Sequence, residues 1–322
     1  MTPPSFPRDR FEDARARVSV SVHRTPLLRS RTLSALAGVP VYLKCENLQK
    51  TGAFKVRGAL NRLLTLSDEE RAAGVVTISA GNHAQAVAWA ASAAGVRAVV
   101  VMPEHASPAK VEASRGYGAE VVLHGDAKAA FAKAFSLAEE RGLRFVHPFD
   151  DEEVVAGHGS CALEIMEDLP DVGTVVVPVG GGGLISGIAA AVAAVRPRVD
   201  VWGVEPEGAD AMRRSLASGK AETLDRVDTV ADGLAAPMAG VLNHALVAAF
   251  ARGVVTVSDE EIVGAMRTLL ERTKLLVEPA GAAGLAALLQ GRIPLNPEAP
   301  VAVVLSGGNV DLKLLGKLLA AV

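Results

Sequence analysis

The sequence predicts an α/β fold made of two open, mainly parallel lobes. Three observations carry that expectation. Short β-branched runs alternate with longer alanine-rich segments along the chain. Most of these runs are apolar throughout rather than alternating, as strands covered on both faces are. Three of them end in glycine-containing loops that open helices. At 322 residues the chain is long for one core, so two domains are expected.

In order, the spacing predicts strands at Val41–Lys44, Gly74–Ile78, Ala98–Met102, Glu120–Leu123, Arg144–Val146, Thr174–Val179, Val199–Val204, Val254–Val257 and Val301–Leu305. Helices are expected between most of them, at His83–Ala94, Ala127–Arg141, Glu152–Asp168 and Leu184–Val195. Ser258-Asp259-Glu260-Glu261 reads as an N-cap with an acidic first turn, opening a helix to about Arg272, and Ser67-Asp68-Glu69-Glu70 reads alike. Boundaries near Leu66–Gly74 and Pro148–Glu152 would set a small α/β domain, 71–147, inside a large one made of 1–70 and 148–322.

Composition narrows the function. Half of the residues are hydrophobic but only 4% are aromatic, so the core must be built from Ala, Val and Leu. A net charge of −3 offers no surface for nucleic acid or anionic membrane. Cys45 and Cys161 have neither zinc-site nor disulfide-framework spacing, and two thiols suit a reducing cytosol. Met1 to Arg17 has no apolar stretch of a signal peptide. The longest apolar run, Ile188 to Val195, falls short of the ~20 residues of a membrane span. A soluble, cytoplasmic protein is expected.

Lys55 sits in Thr51-Gly52-Ala53-Phe54-Lys55-Val56-Arg57-Gly58-Ala59, an apolar, glycine-flanked run. That is a poor place for a solvated charge. Desolvation lowers a lysine pKa and frees its amine as a nucleophile, for instance toward a carbonyl cofactor. A surface lysine at a helix start is the competing reading of that residue taken alone.

The second signal is the strand Val175–Val179 running into Gly180-Gly181-Gly182-Gly183 and then Leu184-Ile185-Ser186-Gly187. Four residues without side chains let backbone N–H groups converge on an anion, and the helix N-terminus adds its dipole. A plain turn needs only one or two glycines, and four cost conformational entropy. A dinucleotide site is the rival, with Glu205 as its acidic residue, but the loop lies mid-chain and does not need that motif's spacing. No Gly-Lys-Ser/Thr follows, so a P-loop is excluded.

Ser79-Ala80-Gly81-Asn82-His83 also follows a strand and opens a helix. Its donors suit a carboxylate or a phenolic oxygen, while His83 has no triad partner nearby and reads as structural. Ser306-Gly307-Gly308-Asn309 is a third loop of this kind, and Val204-Glu205-Pro206 is a fourth strand end. Glu205 would either cap the next helix or hold a cation. Ligands of open α/β sheets bind outside the carboxyl ends of strands, so all these loops can surround one ligand.

From Arg24-Thr25-Pro26-Leu27 to Leu312 the chain resembles the fold-type II pyridoxal phosphate enzymes, the tryptophan-synthase β-like fold. Within them it resembles the serine/threonine dehydratase and serine racemase branch. The motifs that carry the resemblance are Lys44-Cys45-Glu46-Asn47, Ala53 to Ala59, Ser79 to His83, Gly180 to Gly183 and Ser306 to Asn309. The resemblance implies that Lys55 carries pyridoxal 5'-phosphate and acts as general base at Cα. It implies Phe54 beside the pyridine ring, Asn82 on the phenolic oxygen, and Ser306 at the pyridine nitrogen. Gly233 would pack on the ring. Gly180, Gly181, Gly182, Gly183 and Leu184 would hold the phosphate. Ser79, Ala80, Gly81, Asn82 and His83 would bind the substrate carboxylate.

A neutral hydroxyl at Ser306 makes the cofactor a weaker electron sink than a carboxylate would, which suits β-elimination. The implied activity is an ammonia-lyase turning L-threonine or L-serine into a 2-keto acid and ammonia. The alternatives are another β-hydroxy amino acid (hydroxyaspartate or phenylserine), a serine racemase or, from another class, a nucleotide-binding oxidoreductase. Racemases of this branch carry a serine where this chain has Ala80, so elimination is expected over inversion. Their divalent cation site is matched by Glu205 and the carbonyl of Ala209, but Ala211 replaces the third ligand. His158 stands where many relatives have glutamine. A homodimer is expected from the family.

Overall fold

A computed structural model describes residues 5–320 of the chain. Its ten strands are β1 Leu27–Ser30, β2 Val41–Lys44, β3 Val75–Ile78, β4 Ala98–Met102, β5 Glu120–Leu123, β6 Arg144–Phe145, β7 Thr174–Pro178, β8 Asp200–Pro206, β9 Gly253–Val257 and β10 Val301–Val304. They form a six-stranded sheet in the order β1-β2-β10-β7-β8-β9 and a four-stranded sheet in the order β5-β4-β3-β6. Every pairing is parallel except β1 with β2.

The all-apolar runs explain this arrangement. Residues of β4, β7 and β10 are buried at every position, as strands packed by helices on both faces must be. β1 lies outside the predicted strands. Its sequence, Leu-Leu-Arg-Ser, is short and half-exposed, and it adds antiparallel to one edge only. Gly74, placed in the predicted strand, instead ends the preceding helix at φ 95°, a conformation that side chains disfavour. Both serine N-caps form full capping boxes, Ser67 with Glu70 and Ser258 with Glu261. No described helix is long and apolar enough to cross a membrane.

The helix Lys55–Leu64 lies where the two sheets meet. Its Val56, Ala59, Leu60 and Leu63 share a core with Val75, Ala84 and Val87 beside the four-stranded sheet. Its other side meets the helix Glu152–Asp168 across Gly58 and Gly157. A Cβ on Gly157 would stand 2.8 Å from the Gly58 Cα, so the backbones approach too closely for any side chain there.

Arg57 fixes that helix electrostatically. Its side chain is fully buried. Nε and Nη2 fork onto the two oxygens of Glu46 at 2.8 Å each, and Nη1 and Nη2 reach Glu164 at 2.7 and 2.8 Å. Lys44 Nζ also donates to Glu164, at 2.6 Å, and to the Thr25 carbonyl, at 2.7 Å. Burial pushes the Glu46 carboxyl up, but the Arg57 guanidinium, with Lys44 and the Thr25 hydroxyl, holds the group below its ordinary range. Removing one member of such a cluster leaves an uncompensated charge. Arg57→Met should therefore destabilise the fold by about 3–5 kcal/mol in denaturant unfolding. Arg57→Lys should recover only part of that loss, because an ammonium cannot fork onto two carboxylates.

Candidate active site

The Lys55 loop and the Ser306 loop are zipped together by the backbone. Asn47 N donates to Leu305 O, Phe54 N to Ser306 O, and Gly308 N to Gly52 O, at 2.9–3.0 Å. Lys55 begins its helix, and its Nζ donates to the Pro148 carbonyl at 2.7 Å. The amine also lies 5.2 Å from the centroid of the Phe54 ring. Among the described residues no carboxylate pairs with it, and burial lowers its pKa to about 8. Phe54 in turn meets the His158 ring edge-on at 4.8 Å.

The glycine loop follows β7. Gly182 takes φ +100°, and a Cβ on Gly181 would meet the Phe149 ring at 2.5 Å. Among the described hydrogen bonds, the N–H groups of Gly180, Gly181, Gly182 and Gly183 have no protein acceptor. They stand at the N-terminus of the helix Gly183–Val195, which contains Leu184 in its first turn. Unpaired donors at a helix start are what an anion such as a phosphate requires. Asn243 braces the loop by donating to Gly181 O at 3.1 Å and Phe149 O at 3.0 Å. Asp150 caps the Asn243 helix, accepting from Leu242 N at 3.0 Å. Gly233 lies next to the loop, with its carbonyl 3.4 Å from the Cβ position of Gly180.

Asn82 comes from the other sheet, at the carboxyl end of β3. Its Nδ2 donates to Glu278 Oε1 at 2.7 Å, and its Oδ1 accepts from Asn309 Nδ2 at 2.9 Å. The Asn82 loop thus meets the Ser306 loop. Ser79 Oγ accepts from Gly81 N at 3.0 Å, shaping the turn that also holds Ala80. His83 is buried, with Nε2 3.0 Å from Thr77 Oγ1. Thr77 Oγ1 spends its own proton on the Val146 carbonyl, so His83 Nε2 carries a hydrogen and the ring is a neutral structural donor. Burial, with Lys55 nearby, pushes the His83 pKa well below its ordinary value.

Glu205 ends β8 away from these contacts. Its two oxygens accept from Met212 N at 2.8 Å and Arg213 N at 2.9 Å, capping the helix Ala211–Ser218. Ala209 is buried, and Asp210 pairs with Arg213 and Arg214. Burial raises the Glu205 carboxyl to about 8, against the pull of those two N–H groups. Among the described residues no group of three or more His, Cys, Asp or Glu is placed to hold a metal ion.

Pro148, Phe149 and Asn243 were given no role from the sequence, and Glu278 stood out only as part of the racemase-like segment Glu271 to Pro279. Each reaches the site through a partner far along the chain, and only the Pro-Phe step and the Glu-Pro helix start give a local hint.

A desolvated lysine, a glycine cradle of free amides and two polar loops at strand ends have the chemistry that a phosphorylated carbonyl cofactor calls for. The chain belongs to the pyridoxal-phosphate dependent enzyme family, whose model matches residues 18–307. It is 48% identical over 309 residues to an L-threonine ammonia-lyase of Geobacter sulfurreducens, covering 96% of this chain and 77% of that protein. The crystal structure of a T.th. threonine deaminase superposes with a TM-score of 0.89 at 44% identity, covering 95% of this chain and 99% of that one. A serine racemase structure from Dictyostelium discoideum gives a TM-score of 0.90 at 39% identity, covering 95% and 99%.

The Lys55 amine should react with trinitrobenzenesulfonate in the apoprotein with an inflection near pH 8. The sign follows from the reagent, which attacks only the neutral amine, a form that grows as pH rises through the pKa. At pH 8 an ordinary lysine at 10.5 is neutral about 300-fold less often than not. Peptide mapping of the labelled residue across pH 6 to 11 checks this, and an inflection near 10.5 would contradict a desolvated amine.

Proposed function

We propose that this chain is a pyridoxal-phosphate ammonia-lyase that eliminates water from L-threonine or L-serine, releasing a 2-keto acid and ammonia. The observation that carries the reading is Lys55: a desolvated amine held by Pro148 O, next to the Phe149 that packs on Gly181 and Gly183, on a loop bonded to the Ser306 loop. Bound pyridoxal phosphate would supply the electron sink that makes a Cα proton removable. The free amides of Gly180 to Gly183, at the start of the Leu184 helix, fit its phosphate. Phe54, Gly233, Asn82 and Ser306 would hold its ring.

The chain's own residues then do the following. The loop Ser79-Ala80-Gly81-Asn82-His83 presents backbone and side-chain donors to the substrate carboxylate. Lys55 Nζ would take the Cα proton as general base, a role its lowered pKa suits. Ser306 offers a neutral hydroxyl, which favours loss of a β-substituent over transamination. Ala80 offers no proton to Cα, which favours elimination over inversion.

The donor set at Glu205 and Ala209 does not fit a divalent cation. The Glu205 oxygens already cap a helix, and Asp210, beside the missing third ligand, is paired with Arg213 and Arg214, whereas such ions take several oxygen ligands. We read 71–147, which contains the four-stranded sheet, as a small domain set into a large one. A cytoplasmic homodimer is the assembly and location that accord with this reading, and sedimentation of the purified protein tests the first.

Purified protein should show a visible absorption band that borohydride or Lys55→Ala abolishes. Lys55→Ala should also cut keto-acid formation by at least about 10³-fold, as loss of a general base that also carries the cofactor implies. Ammonia release across a panel of β-hydroxy amino acids identifies the substrate, and no turnover of threonine or serine would remove the reading. Ala80→Ser should raise D-serine formation from L-serine relative to pyruvate formation. An unchanged ratio would show that position 80 does not set the partition.

A further inference from the structure

Glu278 is a buried carboxyl to which the sequence assigns no role. It immediately precedes the helix Pro279–Leu289. It accepts from Asn82 Nδ2, and the nearby backbone N–H of Asn309 favours its ionised form. A Cβ on Gly307 would stand 2.5 Å from Glu278 Oε1, and one on Gly233 would stand 3.4 Å from it. The carboxyl therefore occupies the space that two glycines leave open beside Ser306 and the Asp232–Leu234 turn.

Asn82 is held from its other end as well. Asn309 Nδ2 donates to Asn82 Oδ1 at 2.9 Å and to Thr51 O at 2.6 Å. One hydrogen-bonded chain thus runs from Thr51, just before Lys55, through Asn309 and Asn82 to Glu278. It bridges the loops of the two sheets.

We propose that Glu278 is a positioning residue of this site, locking the Asn82 amide so that its second N–H faces the ring of the bound cofactor. The argument is one of matched donors and acceptors. An asparagine side chain has two flips that differ only in which end carries the hydrogens. In the observed flip the NH₂ meets a carboxylate and the oxygen meets an NH₂. The opposite flip would set oxygen against oxygen at Glu278 and NH₂ against NH₂ at Asn309. Glu278 uses one hydrogen of Asn82 and leaves the other free. This inference rests on the reading of Asn82 as the ligand of the phenolic oxygen.

The carboxyl is also placed to titrate. Burial raises it to about 7, and Asp232 pushes the same way. The Asn82 side chain, Lys110 and the Asn309 N–H oppose that rise. Lys110, from the helix Pro108–Gly116, and Asp232 are paired with each other at 3.8 Å. The ionised form accepts from Asn82 more strongly than the protonated one. The lock should loosen as pH falls through neutrality.

Holo and apo forms of wild type, Glu278→Gln and Glu278→Ala test this. Gln keeps an acceptor for Asn82 but cannot titrate. Glu278→Ala apoprotein should bind pyridoxal phosphate about tenfold more weakly, the loss of a hydrogen bond to a charged group. Glu278→Gln should bind it within about threefold of wild type, since a neutral acceptor remains. Between pH 6 and 8 the wild-type visible band and kcat/KM should share a titration that Glu278→Gln lacks. Wild-type affinity and an unshifted band in Glu278→Ala would overturn the proposal, as would an unchanged titration in Glu278→Gln. Should Glu278→Ala fail to fold, the Gln titration decides alone. A wild type without the borohydride-sensitive band would instead overturn the lyase reading itself, a result independent of position 278.

Discussion

The buried fork of Arg57 onto Glu46 and Glu164 is the constraint on which the site depends. A guanidinium out of reach of water is tolerable only when its donors are spent, and here they go to two carboxylates, Ser160 Oγ and the His23 carbonyl. The desolvation cost of such a cluster can exceed its attraction, so its presence is weak evidence for stability. It is strong evidence for placement. The helix that begins at Lys55 cannot rotate or slide without uncoupling charges at low dielectric. Lys55 sits half a turn from Arg57, so its position follows from an ion cluster that it does not join.

That separation also sets the chemistry. Arg57 and Lys55 are cations on one helical turn, and they have opposite fates. Arg57 is surrounded by carboxylates, which outweigh burial and raise its pKa well above the ordinary value. Lys55 finds one carbonyl and an aromatic ring, neither of which offsets burial, and its amine becomes easy to deprotonate. Two buried histidines near it are held neutral, with burial as the main cause and Lys55 as a further one. Neither therefore sets a second positive charge beside the amine. A desolvated amine surrounded by neutral rings is the electrostatic form a cofactor-carrying lysine requires.

Much of this was legible in the sequence, for reasons that are local. A lysine in an apolar run, four glycines after a buried strand and two capping boxes each depend on residues adjacent in the chain. So do the strands that are apolar throughout, and they lie close to their predicted bounds. What could not be read depends on pairing at long range. The Lys44–Glu164 and Arg57–Glu164 contacts join residues more than a hundred positions apart. Phe149 and Asn243 matter because their partners lie in the glycine loop, a relation no periodicity encodes. β1 escaped because a four-residue, half-exposed edge strand carries neither the alternation nor the apolar run by which strands are read.

Glu205 and Glu278 show why burial alone does not identify a functional carboxyl. Both are buried glutamates, and in both desolvation raises the pKa toward or above neutrality. Glu205 gives its oxygens to the backbone of a helix start, so a proton gained there is felt by that helix. Glu278 gives an oxygen to a side chain on a loop from the other sheet, and that side chain is held in turn by Asn309. A proton gained there changes the grip on Asn82, within the ring of loops that holds Lys55. What distinguishes the two is therefore not the size of the shift but the mobility of the donor. A helix amide is fixed by its own hydrogen-bonded spiral, whereas an asparagine rotor keeps its orientation only as long as its neighbours hold it.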